Sequence, residues 1–238
     1  GLQPHAIILV ATIRALRHHG GAKKVAYNTP DLEKVKSGFE NLEKHIENCR
    51  EFGLTPVVAI NHFETDSEEE IKFVQTQCER LGVKAILCKG WSLGGDGMKE
   101  IAEAVVENIE SGVNQFKALY DWKIPVEDKI RTIAREIYGA DDVEYSPKAR
   151  VGLELIKKLG FDSLPVCMAK TQKSFSDNET KIGRPRNFIV TVREFEYAAG
   201  AGFVIPILGD MMRMPGLPPT PVAEGMDIDS EGKISGLS

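Results

Sequence analysis

Short, uninterrupted apolar runs at residues 6–11, 56–60 and 84–88 alternate with longer stretches in which apolar residues recur at steps of three and four. The runs have the character of strands buried on both faces of a parallel sheet, and the stepped stretches that of amphipathic helices. A short helical run after residue 12 stops at Gly20-Gly21, and a polar loop occupies 22–30. From Asp31, the residues Val35, Phe39, Leu42, Ile46 and Cys49 mark one face of a long helix that ends at Gly53. The helix expected over 67–81 has Asp66 or Ser67 as cap and Glu68, Glu69 and Glu70 in its first turn, where the helix dipole favours negative charge. Its buried face is Ile71, Val74, Cys78 and Leu81, and a further helix over 98–110 buries Met98, Ile101, Ala102, Val105 and Ile109. This β-α-β-α rhythm predicts an α/β fold, a mostly parallel sheet covered by helices.

Beyond Gly112 the texture changes, so 1–112 reads as the parallel portion and 113–238 as a smaller C-terminal α/β portion. In the latter, Val126, Ile130, Ile133 and Ile137 share a face of a helix opened by Pro125. Residues 142–145 form a short strand. The helix over 147–159 turns Val151, Leu155 and Leu159 inward. Strands are expected at 164–168, 188–192 and 203–207, with a long polar loop between the first two. The Pro- and Gly-rich segment GDMMRMPGLPPTP reads as ordered irregular structure.

Composition narrows the setting. A net charge of −5 gives no support to a nucleic-acid partner, and no apolar stretch approaches the ~20 residues of a membrane span. The four cysteines form no CxxC pair and no zinc-ligand spacing, and read as free thiols of a cytoplasmic protein, with no metal site. A run with the character of a central strand begins five residues after Gly1, so the chain is expected to be the C-terminal part of a longer protein.

Candidate chemistry gathers at two strand ends. In parallel sheets, ligands bind in loops beyond the carboxyl ends of strands. The run 56–60 ends in Asn61-His62-Phe63, and 84–88 leads to Trp91 and a Gly94-Gly95-Asp96-Gly97 turn. If the two strands are neighbours, Phe63 and Trp91 come close enough either to form a slot for a planar heterocycle or to pack as ordinary aromatics. His62 is a candidate acid or base, with a solvent-facing role as the alternative. The GGxG turn offers backbone N–H groups to an anion or makes a tight strand-to-helix turn. No GxxxxGK[ST], GxSxG or HExxH is present. Asn61 and Asp66 are too far apart for the guanine-reading N-x-x-D loop, which leaves Asp66 as a helix cap. Lys170, Thr171, Lys173, Arg184 and Arg186 in the polar loop read as an anion-meeting group or a charged surface.

Seven stretches, VATIRALRHHGG, NLEKHIENCREFG, VVAINHFETDSEEEI, the Trp91 turn, PVEDKIRTIAREIYGAD, VCMAKTQKSFSD and AGAGFVIPILGDMMRMPGLP, resemble the formate–tetrahydrofolate ligases, in order and over essentially the whole chain. The resemblance implies a P-loop-NTPase-related fold and ATP-dependent joining of formate to tetrahydrofolate through formyl phosphate. It implies as well that Mg²⁺ accompanies ATP, that K⁺ or NH₄⁺ activates and that the protein assembles as a homotetramer. It further implies that Phe63 and Trp91 flank the folate ring system, with Leu87 in the same pocket; Asn61, Glu64, Gly94 and Gly95 beside them are candidate supports. Glu64 stands where the family often has proline, which makes the loop less rigid and adds a charge beside the slot. A non-catalytic folate-binding or oligomerisation module is the alternative. With no phosphate loop in the sequence, the 238 residues alone are expected not to make formyl phosphate. Formate-dependent ADP release by the purified chain would overturn that expectation.

Overall fold

The three apolar runs pair side by side. The computed structural model describes residues 2–209, 220–232 and 234–236. Strands β1 (Ile8–Ala11), β2 (Val57–Asn61) and β3 (Ala85–Cys88) form a parallel sheet in the order β1-β2-β3. The centre of this sheet is β2, and its alternating side chains feed two layers. Val58 and Ile60 face a core built with helices α1 (Ile13–His19), α2 (Leu32–Glu51) and α3 (Glu68–Arg80). Val57 and Ala59 face Cys88 and helix α5 (Lys99–Glu110), which contributes Ile101 and Ala104. The single turn α4 (Gly90–Leu93) lies between β3 and α5.

β1 departs from the expectation of a strand buried on both faces. Among the described residues it lies at the sheet edge, with Val10 63% exposed and only Ala11 buried. Ile8 and Val10 share the face of Val57 and Ala59, where α5 packs against β2 and β3 and leaves the β1 side chains exposed. Helices α1 and α2 approach to backbone contact. A Cβ placed on Gly38 would stand 1.9 Å from the Leu16 carbonyl oxygen, and one on Gly20 1.9 Å from that of Lys34. Only glycine permits that approach.

The second core lies between residues 126 and 208. Strand β4 (Asp142–Tyr145) runs parallel to β5 (Ile189–Ala198), and β5 pairs antiparallel with β6 (Phe203–Leu208), giving a mixed sheet. Helices α6 (Val126–Thr132) and α7 (Pro147–Lys158) cover it. The short pair β7 (Asp227–Ile228) and β8 (Ile234–Ser235) completes the described strands. Residues 210–219 of the Pro- and Gly-rich segment lie outside the described residues.

Three expectations are corrected here. First, α7 buries Ala149, Gly152, Leu153 and Ile156 rather than Val151, Leu155 and Leu159. The small residues let the helix settle on β5, where a Cβ on Gly152 would meet the Phe195 ring at 2.9 Å. Second, α6 widens into a π-helix over Ile133–Tyr138, which rotates the face expected to carry Ile133 and Ile137; Ala134 is the buried residue there. Third, residues 164–168 form no regular strand; the segment meets β6 through isolated bridges at Val166↔Val204 and, just beyond the expected range, Ala169↔Ile207. Hydrogen bonds flank the gap, from Cys167 N–H to the Val204 carbonyl and from Ala169 N–H to that of Pro206 (both 2.9 Å). Pro206 itself has no N–H to continue the ladder. All four cysteines are free; Cys78 and Cys88 are buried, Cys49 is half-buried and Cys167 is exposed.

The two cores are joined by the polar side of α2. Asn41 donates to the Gly183 carbonyl (2.8 Å), Lys44 Nζ to that of Glu136 (2.6 Å) and Asn48 to that of Ile137 (2.9 Å). Arg184 adds a two-toothed pair to Glu47 at 2.9 and 2.6 Å. The reassigned face of α7 is testable by urea denaturation: Ile156→Ala is expected to cost about 2–5 kcal/mol and Val151→Ala less than about 0.5 kcal/mol. The reverse ranking would restore the sequence reading.

Candidate functional site

Because β2 and β3 are adjacent and parallel, their following loops leave the same edge of the sheet. Asn61 is in register with Cys88, and His62 N–H donates to the Cys88 carbonyl (3.0 Å). Beyond them opens a cavity of about 670 Å³. Asn61, His62, Phe63, Glu64 and Thr65 form one wall, and Lys89, Trp91, Ser92 and Leu93 another; Arg14 of α1 contributes the remaining side chain. Trp91 is 88% exposed and Phe63 half-buried, an arrangement in which large apolar surface faces solvent.

The Phe63 loop is held by its own backbone and by a buried ion pair. Phe63 N–H donates to Asp66 Oδ2, and Asp66 N–H to the Phe63 carbonyl, both at 2.9 Å. Arg17 reaches the loop from α1 and donates through Nη2 to the Thr65 carbonyl (3.1 Å). Its Nε and Nη2 grip Glu70 at 2.8 and 2.6 Å, and Nη1 reaches the Tyr27 carbonyl at 2.6 Å. Glu70 also accepts from the backbone N–H of Asp31, the cap of α2, and of Ser67, the cap of α3. Asp66 is therefore not the helix cap expected of it. Ser67 forms a capping box with Glu70, which frees Asp66 to close the turn around Phe63.

The charges respond to these surroundings. Burial pushes the Glu70 carboxyl up, but Arg17, the Asp31 N–H and Ser67 together outweigh it and hold the pKa at about 2. Burial pushes the Asp66 carboxyl up, opposed by the Phe63 N–H and by Arg17, whose Nη2 stands 3.9 Å from Oδ1.

The loop that carries Trp91 is a tight turn. Lys89 N–H donates to the Gly97 carbonyl (3.1 Å), and a Cβ on Gly97 would come within 2.5 Å of the Lys89 carbonyl oxygen. Gly94 has φ 56°, a backbone region that favours glycine. Gly94 and Gly95 shape the turn without lining the cavity. Leu87 lies one step before the end of β3 and packs against the first core, so it too stands outside the lining. The structure thus brings together Asn61, Phe63, Glu64 and Trp91, and places Leu87, Gly94 and Gly95 behind them.

The polar loop of 170–187 meets the chain's own acceptors. Arg184 pairs with Glu47, Lys173 with Glu179 (2.8 Å) and Arg186 with Glu40 (3.8 Å). Lys170 Nζ lies 4.8 Å from the Tyr138 ring centroid and donates to the carbonyls of Thr171 and Ser174. Burial lowers its pKa to about 8. It belongs to a second cavity, about 370 Å³, that also takes in His19 and His45. His19 Nδ1 accepts from the Gly183 N–H (3.1 Å), and burial, then the nearby His18, lowers its pKa to about 4. Sequence reasoning missed Arg14 and Arg17. Their only signal was two arginines at a three-residue spacing in a short helix directly after a strand.

Among the described residues no group of three or more His, Cys, Asp or Glu side chains is placed to hold a metal ion, and no helix is long and apolar enough to cross a membrane. Removing one partner of the buried pair should be costly: Glu70→Gln is expected to lose ~3 kcal/mol in denaturant titrations. Its acid profile should change as well. In the wild type the folded carboxyl ionises below its unfolded value of 4.5, so its stabilisation is full above that pH and is lost as pH falls toward about 2. The variant should lack this loss, and a variant with unchanged stability and unchanged acid slope would refute the role given to Glu70.

The remaining question is kinship. The family model described as formate–tetrahydrofolate ligase matches residues 1–238. With that match over all 238 residues, on an α/β chain with two aromatic loops at parallel strand ends, this chain belongs to the formate–tetrahydrofolate ligase family.

Proposed function

We propose that the cavity at the ends of β2 and β3 receives the ring system of tetrahydrofolate, with Phe63 and Trp91 as its stacking surfaces. The observation that carries this reading is that both rings line one opening of about 670 Å³, large enough for a bicyclic heterocycle and part of its substituent. Asn61 and Glu64 offer polar groups at the wall. Leu87, packed in the core, supports the loop from beneath, and Gly94 and Gly95 let the Trp91 turn fold back. Residues 1–112 act as the binding portion, and 113–238 braces it through α2.

In this reading the chain serves a ligase in which a formate oxygen takes the γ-phosphoryl group of ATP, giving formyl phosphate and releasing ADP, with Mg²⁺ accompanying the nucleotide. The tetrahydrofolate nitrogen then attacks the formyl carbon, and phosphate leaves to give 10-formyltetrahydrofolate. The residues of this chain bind and orient the acceptor and shield its face from water; no step is assigned to the metal, for which the described residues make no cluster. Activation by K⁺ or NH₄⁺, assembly as a homotetramer and a cytoplasmic setting belong to the same proposal and rest on family membership.

The test uses a Trp122→Phe background, so that Trp91 is the remaining indole. Tetrahydrofolate should quench its fluorescence, and Phe63→Ala should weaken binding about tenfold or more. Quenching that is absent, or that survives Phe63→Ala at equal affinity, would sink the proposal.

A further inference from the structure

Helix α1 sends two arginines toward the loop after β2, and packing accounts for only one of them. Arg17 is fully buried, with four of its five N–H groups taken by Glu70 and by backbone carbonyls. Arg14 lies one turn earlier, with Cζ 3.9 Å from the centroid of the Phe63 ring. That contact holds the guanidinium in place but supplies no acceptor. Its Nε is buried without a hydrogen-bond partner, and among the described residues Arg14 has no ion pair.

A guanidinium is charged at every accessible pH and presents five N–H donors in a fork that matches carboxylate and phosphate oxygens. Leaving such a donor buried and unpaired is unfavourable unless something arrives to accept from it. The cavity agrees in sign. Its lining carries Arg14 and Lys89 against the single carboxylate of Glu64, a positive balance on a chain whose net charge is −5.

We propose that Arg14 is an anion-binding residue of this cavity, taking the carboxylate or phosphate oxygens of a ligand whose planar ring lies against Phe63 and Trp91. The ring part rests on the folate reading above; the anion part does not. Two sources share this chemistry, a carboxylate on the ring-bearing molecule itself and a phosphate group that enters separately.

Calorimetric titration of the chain and of its Arg14→Gln and Arg14→Lys variants separates them. The probes are folic acid, which carries ring and carboxylates, 6-methylpterin, which carries the ring alone, and inorganic phosphate. With a carboxylate source, Arg14→Gln should weaken folic acid roughly ten- to hundredfold and leave 6-methylpterin unchanged. With a phosphate source, folic acid and 6-methylpterin should bind Arg14→Gln as they bind the wild type, and the heat of phosphate binding should vanish. In either case Arg14→Lys, which keeps the charge and loses the fork, should fall between. Arg14→Gln removes no hydrogen bond, so its urea midpoint serves as the folding control, and Arg14→Lys carries the test if that midpoint drops. Equal binding of all three probes by wild type and variants would overturn the proposal. If the wild type takes neither folic acid nor 6-methylpterin, the folate reading fails. Arg14 is then judged on phosphate alone: a melting temperature raised by phosphate in the wild type and not in Arg14→Gln sustains it, and equal shifts end it.

Discussion

A single buried ion pair ties the site to the fold. Arg17 and Glu70, 53 positions apart, meet where the ends of three helices and one loop of the cavity wall converge. From this pair, hydrogen bonds run to the Tyr27 and Thr65 carbonyls and to the backbone N–H groups of Asp31 and Ser67. Each of those groups is a backbone donor or acceptor at a helix start or a loop, the places where a chain has no partner of its own. The pair is therefore less a source of net stability than a device that satisfies orphaned groups in one arrangement. Asp66 and Ser67 divide the remaining work, one closing the turn and the other capping α3, and Phe63 comes to the cavity wall as the result.

Helix α2 does the equivalent for the whole chain. Its apolar face fills the first core with Val35, Phe39, Leu42 and Ile46. Its other face spends side-chain amides and an ammonium on carbonyls of the second portion. Two of those carbonyls, of Glu136 and Ile137, belong to the π-helical segment. Both lie in the last turn before the end at Tyr138, where carbonyls have no partner within the helix, so the end of this segment gives α2 its acceptors.

What the sequence made legible is what hydropathy encodes. The β-α-β-α order, the apolar face of α2, the placement of Phe63 and Trp91 beyond neighbouring strands and the resemblance to the ligase family all rest on large apolar residues or long collinear motifs. What stayed hidden has a common cause. Ala149 and Gly152 bury α7 by being small, and small residues weigh little in a periodicity count. Pro206 interrupts a ladder whose other strand lies some forty positions away. Arg17, Asn41, Lys44 and Asn48 look like solvent-facing residues until their distant partners are known. Asp66 and Ser67 are both good caps by type, and only the reach of Glu70 decides between them.

The close contact between α1 and α2 sets the tolerance of that distant seam. At Gly20 and Gly38 the two helices touch backbone to backbone, so no side chain can yield to let one rock against the other. From Lys34 at this contact to Asn48 at the seam, α2 runs about 21 Å at ~1.5 Å per residue. A tilt of about 1.5° would move Asn48 by roughly 0.5 Å, enough to stretch a hydrogen bond toward the limit of its working range. The absence of two methyl groups near one end of a lever thus decides whether the amides at its other end find their carbonyls.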